Sequence, residues 1–212
     1  MSIRVRLTRP EDIPGLVTLS RAVYGRRGAA WLTRELLAHQ ERFPEGQFVA
    51  LGSDTDRPIG MSVSLVVDSR DWDPTADWHA VTGNGSLSTH DPEHGDTLYA
   101  AGVAVHPAAR GRGVARVLYL AREELLERMG LSRIRAGARI PGYGRVAATM
   151  SPEEYVRDVV AGQRHDPTLS FQLHLGFEVV ALARGYLPFD RESRGHAAIV
   201  EWQPPDDRER PA

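Results

Sequence analysis

The sequence predicts an α/β fold (an α+β mixed sheet) in which helices cover both faces of one sheet. Segments with apolar residues at every second position alternate with segments whose apolar residues repeat every three to four positions. The expected order is β-α-α-β-β-loop-β-α-β-α-α-β-β. The chain has 212 residues, 42% of them hydrophobic, which suffices for one large core. We therefore expect a single domain over 1–203 and a disordered tail at 204–212.

The first part of the chain alternates strand and helix signals between turns. Ile3–Leu7 alternates apolar and charged residues, as a half-buried strand does. Thr8 and Glu11 have the spacing of a capping box, so a helix is expected directly after them. Further along we expect a second helix over 29–43 and strands over 47–51 and 59–67.

Regular patterning disappears over 68–96, which predicts a long loop rich in Asp, Gly, Ser and Thr with two tryptophans. Two interpretations remain open. The acidic and aromatic side chains could form a wall that attracts a cationic amine, or the acids could simply keep a solvated loop soluble. His90 and His94 lie near two carboxylates, but loop histidines at this spacing are usually incidental. No metal site is expected.

The second half of the chain carries clearer element signals. From Gly113 the apolar residues mark one helical face, with Arg122 and Glu123 among the residues off that face, and Gly130 ends the helix. Ser151, Pro152 and Glu154 have the spacing of a capped helix start inside a predicted insertion at 142–166. The remaining expected elements are strands at 97–105 and 131–140, a helix at 168–176, and a strand pair at 177–189 and 196–202.

Composition excludes several classes of function. The formal net charge of -2 provides no global basic field for nucleic acid or an anionic membrane. The chain has no cysteine, and all 26 of its Lys and Arg residues are arginine. Disulfides, thiolate sites, Schiff-base lysines and a P-loop lysine are therefore excluded. The start of the chain lacks an apolar leader, and no apolar run reaches the ~18 residues of a membrane span. We expect a soluble, cytoplasmic protein.

Arginines and glycines alternate where the strand at 97–105 gives way to the long helix. A helix N-terminus has unpaired backbone N–H groups and a partial positive charge, so it binds anions. Gly111 and Gly113 remove side chains that would block a bulky diphosphate, and they permit the torsions of a tight turn. Arg110 and Arg112 add charge beside the same amides. This stretch is interpreted as a diphosphate cradle.

The glycine-rich turn does not match two common nucleotide-binding motifs. A P-loop would end in Gly-Lys-Ser/Thr, which is absent here. A dinucleotide-binding turn would have a third glycine where Arg116 stands, and an acid about 20 residues further on. Ile134 to Arg139 supply no such acid. A turn whose glycines serve torsion alone stays open as an alternative to the cradle.

The stretch VAVHPAARGRGVARVLY resembles motif A of the GNAT acyltransferases, V-x-V-x-P-x-x-R/Q-x-x-G-x-G/A. The matching residues are Val103, Val105, Pro107, Arg110, Gly113 and Ala115. HLGFEVV is similar to the late Leu-Gly-Phe signature of the family, at Leu175, Gly176 and Phe177. A narrower resemblance, over 151–177, is to GNAT-type domains that precede a carbon–nitrogen hydrolase domain. This chain is too short to carry that hydrolase, and the helix at 152–161 is interpreted as a subfamily feature.

The resemblance implies a GNAT fold with two splayed central parallel strands, and acetyl-CoA as the acyl donor. Its diphosphate would lie on the backbone amides from Gly111 to Ala115, and its pantetheine arm would pair with the strand around Val103 and Val105. The second splayed strand would be 134–140. A backbone N–H near Val103 or Ala104 would hold the oxyanion. The implied cofactor-binding set is Val103, Ala104, Val105, Arg110, Gly111, Arg112, Gly113, Val114, Ala115 and Arg116.

The catalytic candidates depart from the family pattern. GNAT enzymes often place a tyrosine, as general acid, four residues before the Leu-Gly-Phe glycine, but here Gln172 stands at that position. Tyr143 and Tyr155 could substitute for it. Because a lysine-like amine has a pKa of about 10.4, a base such as Asp96 would help to deprotonate the acceptor. Weaker candidate bases are Glu178, His106, His174 and His196.

The function predicted on this basis is N-acyl transfer, from acetyl-CoA directly to a primary amine in a ternary complex. The acceptor, a small molecule or a protein, is not identified by the sequence. The alternative is a non-catalytic GNAT module that binds acyl-CoA for regulation or interaction. Members of the family often dimerise, so a homodimer stays open, while nucleic acid, membrane and metal are not expected.

Overall fold

The computed structural model describes residues 2–25, 30–52 and 56–205. Seven strands within these residues form one sheet in the order β1-β2-β3-β4-β5-β7-β6. All neighbours pair antiparallel except β4 and β5, which run parallel at the centre. The strands are β1 (Ile3–Leu7), β2 (Gln47–Gly52), β3 (Pro58–Val67), β4 (Thr97–Val105), β5 (Arg133–Arg139), β6 (Glu178–Ala183) and β7 (Ala197–Trp202).

Helices cover both faces of this sheet, which confirms the expected α/β class. The helices are α1 (Ile13–Tyr24), α2 (Thr33–Arg42), α3 (Trp78–Thr82), α4 (Val114–Met129), α5 (Pro152–Val160) and α6 (Leu169–His174). One core joins α4, α5 and α6 to the sheet, and a second core joins α1 and α2 to the other face. Residues 206–212 of the predicted tail lie outside the described residues.

The first helix begins in a different way from the predicted capping box. A 3-10 turn, Pro10–Asp12, precedes α1, and the capping carboxylate belongs to Asp12 rather than to Glu11. Asp12 accepts the backbone N–H of Arg9 at 2.8 Å and two hydrogen bonds from the Arg6 guanidinium. The guanidinium lowers the pKa of Asp12. The part-buried ion pair to β1 therefore holds Asp12 in this position, and the capped element is the 3-10 turn rather than α1 itself.

The segment 68–96 is more ordered than its composition predicts. It contains a 3-10 turn, Ser69–Asp71, and the short helix α3, whose first turn is capped by Asp77. Leu87 lies in the second core, fully buried, although its φ is +60°. The expectation of a loop without regular structure is wrong, because apolar side chains within it pack against the sheet.

The predicted insertion at 142–166 contains α5, which begins with the expected capping box between Ser151 and Glu154. Asp166 ends this segment and is fully buried. Its carboxylate accepts hydrogen bonds from the Tyr155 hydroxyl at 2.9 Å and the Gly142 N–H at 2.9 Å. One aspartate thus ties both ends of the segment together. Within the described residues, no helix is long and apolar enough to cross a membrane.

Candidate active site

The two parallel central strands separate after a short paired stretch. β4 and β5 pair only where Thr97, Leu98 and Tyr99 meet Arg133, Ile134 and Arg135. Both strands continue beyond this stretch, to Val105 and Arg139, with β5 then held by β7 on its other side. Backbone groups on the facing edges of β4 and β5 are therefore left to other partners. We call this opening the gap.

A β-bulge in β4 lies at the closed end of the gap. Val63 pairs with Gly102 and Ser64 pairs with Ala100, so Ala101 is an extra residue in β4. Three side chains donate to consecutive carbonyls here: Trp78 Nε1 to Ala101 at 2.8 Å, Arg122 Nη2 to Gly102 at 2.6 Å, and Tyr24 Oη to Val103 at 2.8 Å. The bulge is therefore held from α1, α3 and α4, on both faces of the sheet.

Arg122 holds the bulge from the α4 side. It is fully buried, although its charge alone would place it off the apolar face of the helix. It also donates to Ser64 Oγ at 3.0 Å and to the carbonyl of Val63 at 2.9 Å, and its guanidinium carbon lies 5.0 Å from the centroid of the Tyr119 ring. Burial lowers its pKa, because removal from water disfavours the cation. Its Nη1 has no hydrogen-bond partner among the described residues.

Tyr24 holds the bulge from the opposite face of the sheet, through its bond to the Val103 carbonyl. Three arginines lie within electrostatic reach of its hydroxyl. Burial raises the pKa of the Tyr24 hydroxyl, whereas the positive charges of Arg139, Arg122 and Arg110 oppose that shift. These arginines come from β5, from α4 and from the turn after β4. The Tyr24 hydroxyl is therefore within electrostatic reach of arginines from all three elements.

Tyr186 closes the gap on the face that carries α1 and α2. A Cβ at Gly137 of β5 would overlap Tyr186 Cζ, so the ring crosses β5 where this strand has no side chain. The hydroxyls of Tyr186 and Tyr99 are hydrogen-bonded to each other. Burial raises the pKa of both tyrosines, so both stay protonated at neutral pH.

The predicted diphosphate cradle follows directly from the open end of β4. Gly111 and Gly113 have φ of +72° and +82°, and a Cβ on either would meet no described atom within 4 Å. Gly113 is the N-cap of α4 and has no side-chain cap hydrogen bond. The first helical bond joins Val117 N–H to the Gly113 carbonyl, so the amides of residues 114–116 point out of the helix end. Arg110, Arg112 and Arg116 are exposed around them.

The hydroxyls of the two predicted catalytic tyrosines donate hydrogen bonds to other residues of the protein. Tyr143 follows β5, is buried, and donates to the Met150 carbonyl at 3.1 Å. Tyr155 lies on α5 and donates to Asp166, and burial together with this carboxylate raises its pKa. Both tyrosines stabilise the segment at 142–166.

The other two predicted catalytic residues, Asp96 and Gln172, lie in different parts of the fold. Asp96 precedes β4, about 30 Å along the strand from the cradle, and accepts hydrogen bonds from Ser69 and Thr97. Gln172 on α6 is buried, and its Nε2 donates to Tyr119 Oη at 2.8 Å. The fold brings Gln172 beside α4 and leaves Asp96 before the first residue of β4, away from the gap.

Of the weaker candidates, His106 and His196 each accept a hydrogen bond from a nearby backbone N–H. His106 Nδ1 accepts the Ala108 N–H at 3.2 Å, as part of the turn after β4, and His174 and Glu178 are exposed.

In segment 68–96 the aromatic side chains reach the sheet: Trp78 holds the bulge and Trp72 lies 4.1 Å beneath the Arg135 guanidinium. Within the described ranges, no group of three or more His, Cys, Asp or Glu residues could hold a metal ion.

Sequence reasoning missed Tyr24 and Arg122 and did not anticipate the role of Trp78. Arg122 had a usable signal, because Val114, Leu118 and Arg122 follow one another at four-residue spacing on the apolar face of α4. Tyr24 and Trp78 had no such signal. Their partners in β4 lie 79 and 23 residues away along the chain.

Comparison with known proteins agrees with this geometry. The model of the acetyltransferase (GNAT) family matches residues 16–147. The uncharacterized N-acetyltransferase YkwB of Bacillus subtilis is 33% identical over 205 residues, which cover 95% of this chain and 89% of YkwB. The probable hydrolase YhcX of Bacillus subtilis is 35% identical over 198 residues. That match covers 93% of this chain but only 38% of YhcX, so the chain spans well under half of that relative.

A solved structure shares the fold. The GphF GNAT-like decarboxylase, solved in complex with isobutyryl-CoA, superposes with a TM-score of 0.75 at 24% identity, over 94% of this chain and 98% of GphF. The family match is consistent with two features of the structure. These are the separation of β4 from β5 and the glycines at the start of α4. The chain belongs to the GNAT family of acetyltransferases.

Proposed function

We propose that this protein transfers an acetyl group from acetyl-CoA to a primary amine, directly and within a ternary complex. The observation that carries the proposal is the continuity of the site. A strand with an unpaired edge leads into a helix start whose amides are unobstructed, so one extended ligand with a diphosphate end fits both features.

The residues at the start of α4 suit a diphosphate. The amides of residues 114–116 supply donors, and the two glycines leave room for the phosphate oxygens to approach them. Arg110, Arg112 and Arg116 supply positive charge. The pantetheine arm would then run along Val103, Ala104 and Val105, where the edge of β4 facing β5 is unpaired.

The reaction requires a neutral amine and a group that donates a hydrogen bond to the oxyanion. In the proposal the acceptor nitrogen attacks the thioester carbon, and a backbone N–H near Val103 or Ala104 binds the oxygen that gains negative charge. The tetrahedral intermediate then collapses and the C–S bond breaks with its electron pair on sulfur. The sulfur takes up a proton, and the acceptor nitrogen releases one. Bulge carbonyls already bonded to Trp78, Arg122 and Tyr24 keep this backbone rigid, which preorganises the donor.

Of the predicted catalytic residues, Gln172 stays in the proposal. The hydroxyls of Tyr143 and Tyr155 are engaged within segment 142–166, and Asp96 lies at the wrong end of β4. The amine would enter from the face of α1, where Tyr24, Trp31 and Trp78 surround the bulge. A thiol with a pKa near 8.5 is a fair leaving group at neutral pH.

The second candidate is an acyl-CoA-binding module without turnover. It is favoured by the 35% identity to YhcX, in which the matching region is 38% of a probable hydrolase. Release of free thiol from acetyl-CoA, measured with a broad panel of amines, separates the two candidates. Turnover with any amine supports the enzyme, whereas binding of CoA without thiol release supports the module. In either case we place the cysteine-free chain in the reducing cytoplasm.

The CoA site is tested by one glycine at each end of α4. Gly113→Asp would put a carboxylate against the diphosphate, so we expect CoA affinity to fall at least tenfold, measured by titration calorimetry. Gly130→Asp is the matched control, because Gly130 also has a positive φ, +67°, and open space around its Cα. The control should bind CoA within about twofold of the wild type. Equal affinity in the two variants would show that the cradle lies elsewhere.

A further inference from the structure

Three buried polar groups meet between α4, α6 and the bulge, and each retains unused hydrogen-bonding capacity. Arg122 is 0% exposed, Gln172 is 4% exposed and Tyr119 is 5% exposed. Among the described residues, Arg122 Nη1 and Gln172 Oε1 have no partner. Buried polar atoms without partners are costly, so Arg122 Nη1 and Gln172 Oε1 are available to a ligand that reaches them.

The contacts determine where the hydrogen of the Tyr119 hydroxyl is available. Gln172 Nε2 is a donor, so at 2.8 Å it donates to Tyr119 Oη, which acts as the acceptor. The hydroxyl hydrogen of Tyr119 is therefore not used in that bond. The Arg122 guanidinium carbon lies 5.0 Å from the centre of the same ring, so negative charge that developed on the phenol would lie beside a cation.

The position of Tyr119 relates it to the gap. It lies five residues beyond the start of α4, about 8 Å along the helix axis from the cradle. Arg122, one turn further, reaches the Gly102 carbonyl of the bulge. Phe171 and Phe177 pack edge-on against the Tyr119 ring and hold it on the side of α6. Along α4, Tyr119 therefore lies between the cradle and Arg122. It is also close enough to Tyr24, whose hydroxyl donates to the Val103 carbonyl of β4, for the two phenols to interact electrostatically.

We propose that Tyr119 protonates the CoA sulfur as the thioester C–S bond breaks, with Gln172 and Arg122 as positioning residues. This inference rests on the function proposed above. The acceptor nitrogen forms the new bond to the carbonyl carbon, and the electron pair of the C–S bond moves to sulfur. Sulfur takes the proton of the Tyr119 hydroxyl. The resulting phenolate recovers, through solvent, the proton that the acceptor nitrogen releases.

A binding experiment tests this contact without knowledge of the acceptor. CoA and dethio-CoA, in which hydrogen replaces the thiol, are titrated at pH 9, above the thiol pKa of about 8.5. A hydrogen bond to a charged group is worth about 1.5–3 kcal/mol, which corresponds to at least roughly tenfold tighter binding of CoA than of dethio-CoA. We expect the wild type to prefer CoA over dethio-CoA, and Tyr119→Phe to lose about tenfold of this preference.

The controls separate the failure of this inference from the failure of the proposed function. Phe177→Leu alters packing against the same ring but removes no polar group, so it should keep the preference for CoA. Gln172→Leu should lower the preference severalfold, and it carries the test if Tyr119→Phe does not fold. An unchanged preference in the folded variants would overturn the role of Tyr119 alone. If wild-type protein bound neither ligand, the CoA site itself would be wrong.

Discussion

His39 and Arg122 are polar residues in places where the core would ordinarily hold apolar ones, and each fastens distant parts of the chain. Arg122 joins α4 to both strands of the bulge. His39 on α2 donates from Nε2 to the Gly85 carbonyl at 2.7 Å, and its ring packs edge-on against Trp31 at 4.9 Å. Trp31 in turn packs against Gly102 of β4. A single imidazole thus links α2, the segment after β3 and the site.

The burial of His39 predicts how stability depends on pH. Burial lowers its pKa to about 4 from 6.5, so between these values the unfolded chain binds a proton that the folded chain does not. The contribution of His39 is complete above pH 6.5 and is lost as the pH falls towards 4. We expect the titration of His39 to lower the free energy of unfolding by about 2 kcal/mol when the pH falls from 7.5 to 5.

Urea denaturation of the wild type and of His39→Gln at the two pH values measures this contribution. The difference in stability between the two proteins should shrink by about 2 kcal/mol at pH 5, because the variant has no imidazole to titrate. His165→Gln is the control, since His165 is exposed and its loss should leave the pH dependence unchanged. The same slope in the wild type and in His39→Gln would contradict the assignment.

At the scale of elements, β5 decides the shape of the site. It pairs with β7 along Ile134–Arg139 but with β4 at only three positions. Tyr186 crosses β5 at Gly137 and bonds to Tyr99, the last residue of β4 that pairs with β5. The gap therefore begins where an aromatic side chain replaces strand pairing, and the missing side chain at Gly137 is what admits that ring.

Gly137→Ala tests the fit between β5 and Tyr186. The added methyl would overlap the ring, so the ring must move and its bond to Tyr99 is disturbed. Overpacking of this kind costs about 1–3 kcal/mol, which a urea titration of unfolding resolves. In the Gly137→Ala/Tyr186→Leu double variant the clash disappears, so its loss should be smaller than the sum of the single losses. Strict additivity would argue against the contact.

At the scale of the whole molecule, one sheet separates two cores, and the bulge joins them. Tyr24 and Trp78 reach it from the face of α1 and α3, and Arg122 reaches it from the face of α4. The proposed ligand would contact this junction along Val103–Val105, while the start of α4 holds the other end. Binding is therefore expected to stabilise the fold as a whole.

Thermal unfolding with added CoA measures that coupling. CoA at 100 times its dissociation constant should add about 2.7 kcal/mol of stability. For a chain of this size the melting temperature should then rise by roughly 5–10 °C. NAD, which also carries a diphosphate but has no pantetheine arm, should leave the melting temperature unchanged. An equal rise with NAD would mean that the cradle recognises only the diphosphate.

The local sequence determined most elements of this protein and the start of α4. Period-two and helical spacing depend on neighbouring residues, so β1, β4, α4 and the capped start of α5 were predictable, as was the open turn at Gly111 and Gly113. The same local reasoning failed at 68–96, because burial of Leu87 depends on a sheet formed by other parts of the chain. It also predicted Glu11 as the acid of the capping box, whereas Asp12, paired with Arg6, is the acid that accepts the backbone N–H.

Only the tertiary structure decided how the site is held together. Tyr24, Trp78 and Arg122 donate to three consecutive carbonyls of β4 from positions 79, 23 and 20 residues away. Such contacts depend on how helices pack across a sheet, which no spacing within one element encodes. The bond between Gln172 and Tyr119 likewise spans 53 residues. The chain's local patterns specify its strands and helices, whereas long-range packing brings the Tyr119 phenol, the Gln172 amide and the buried Arg122 guanidinium together.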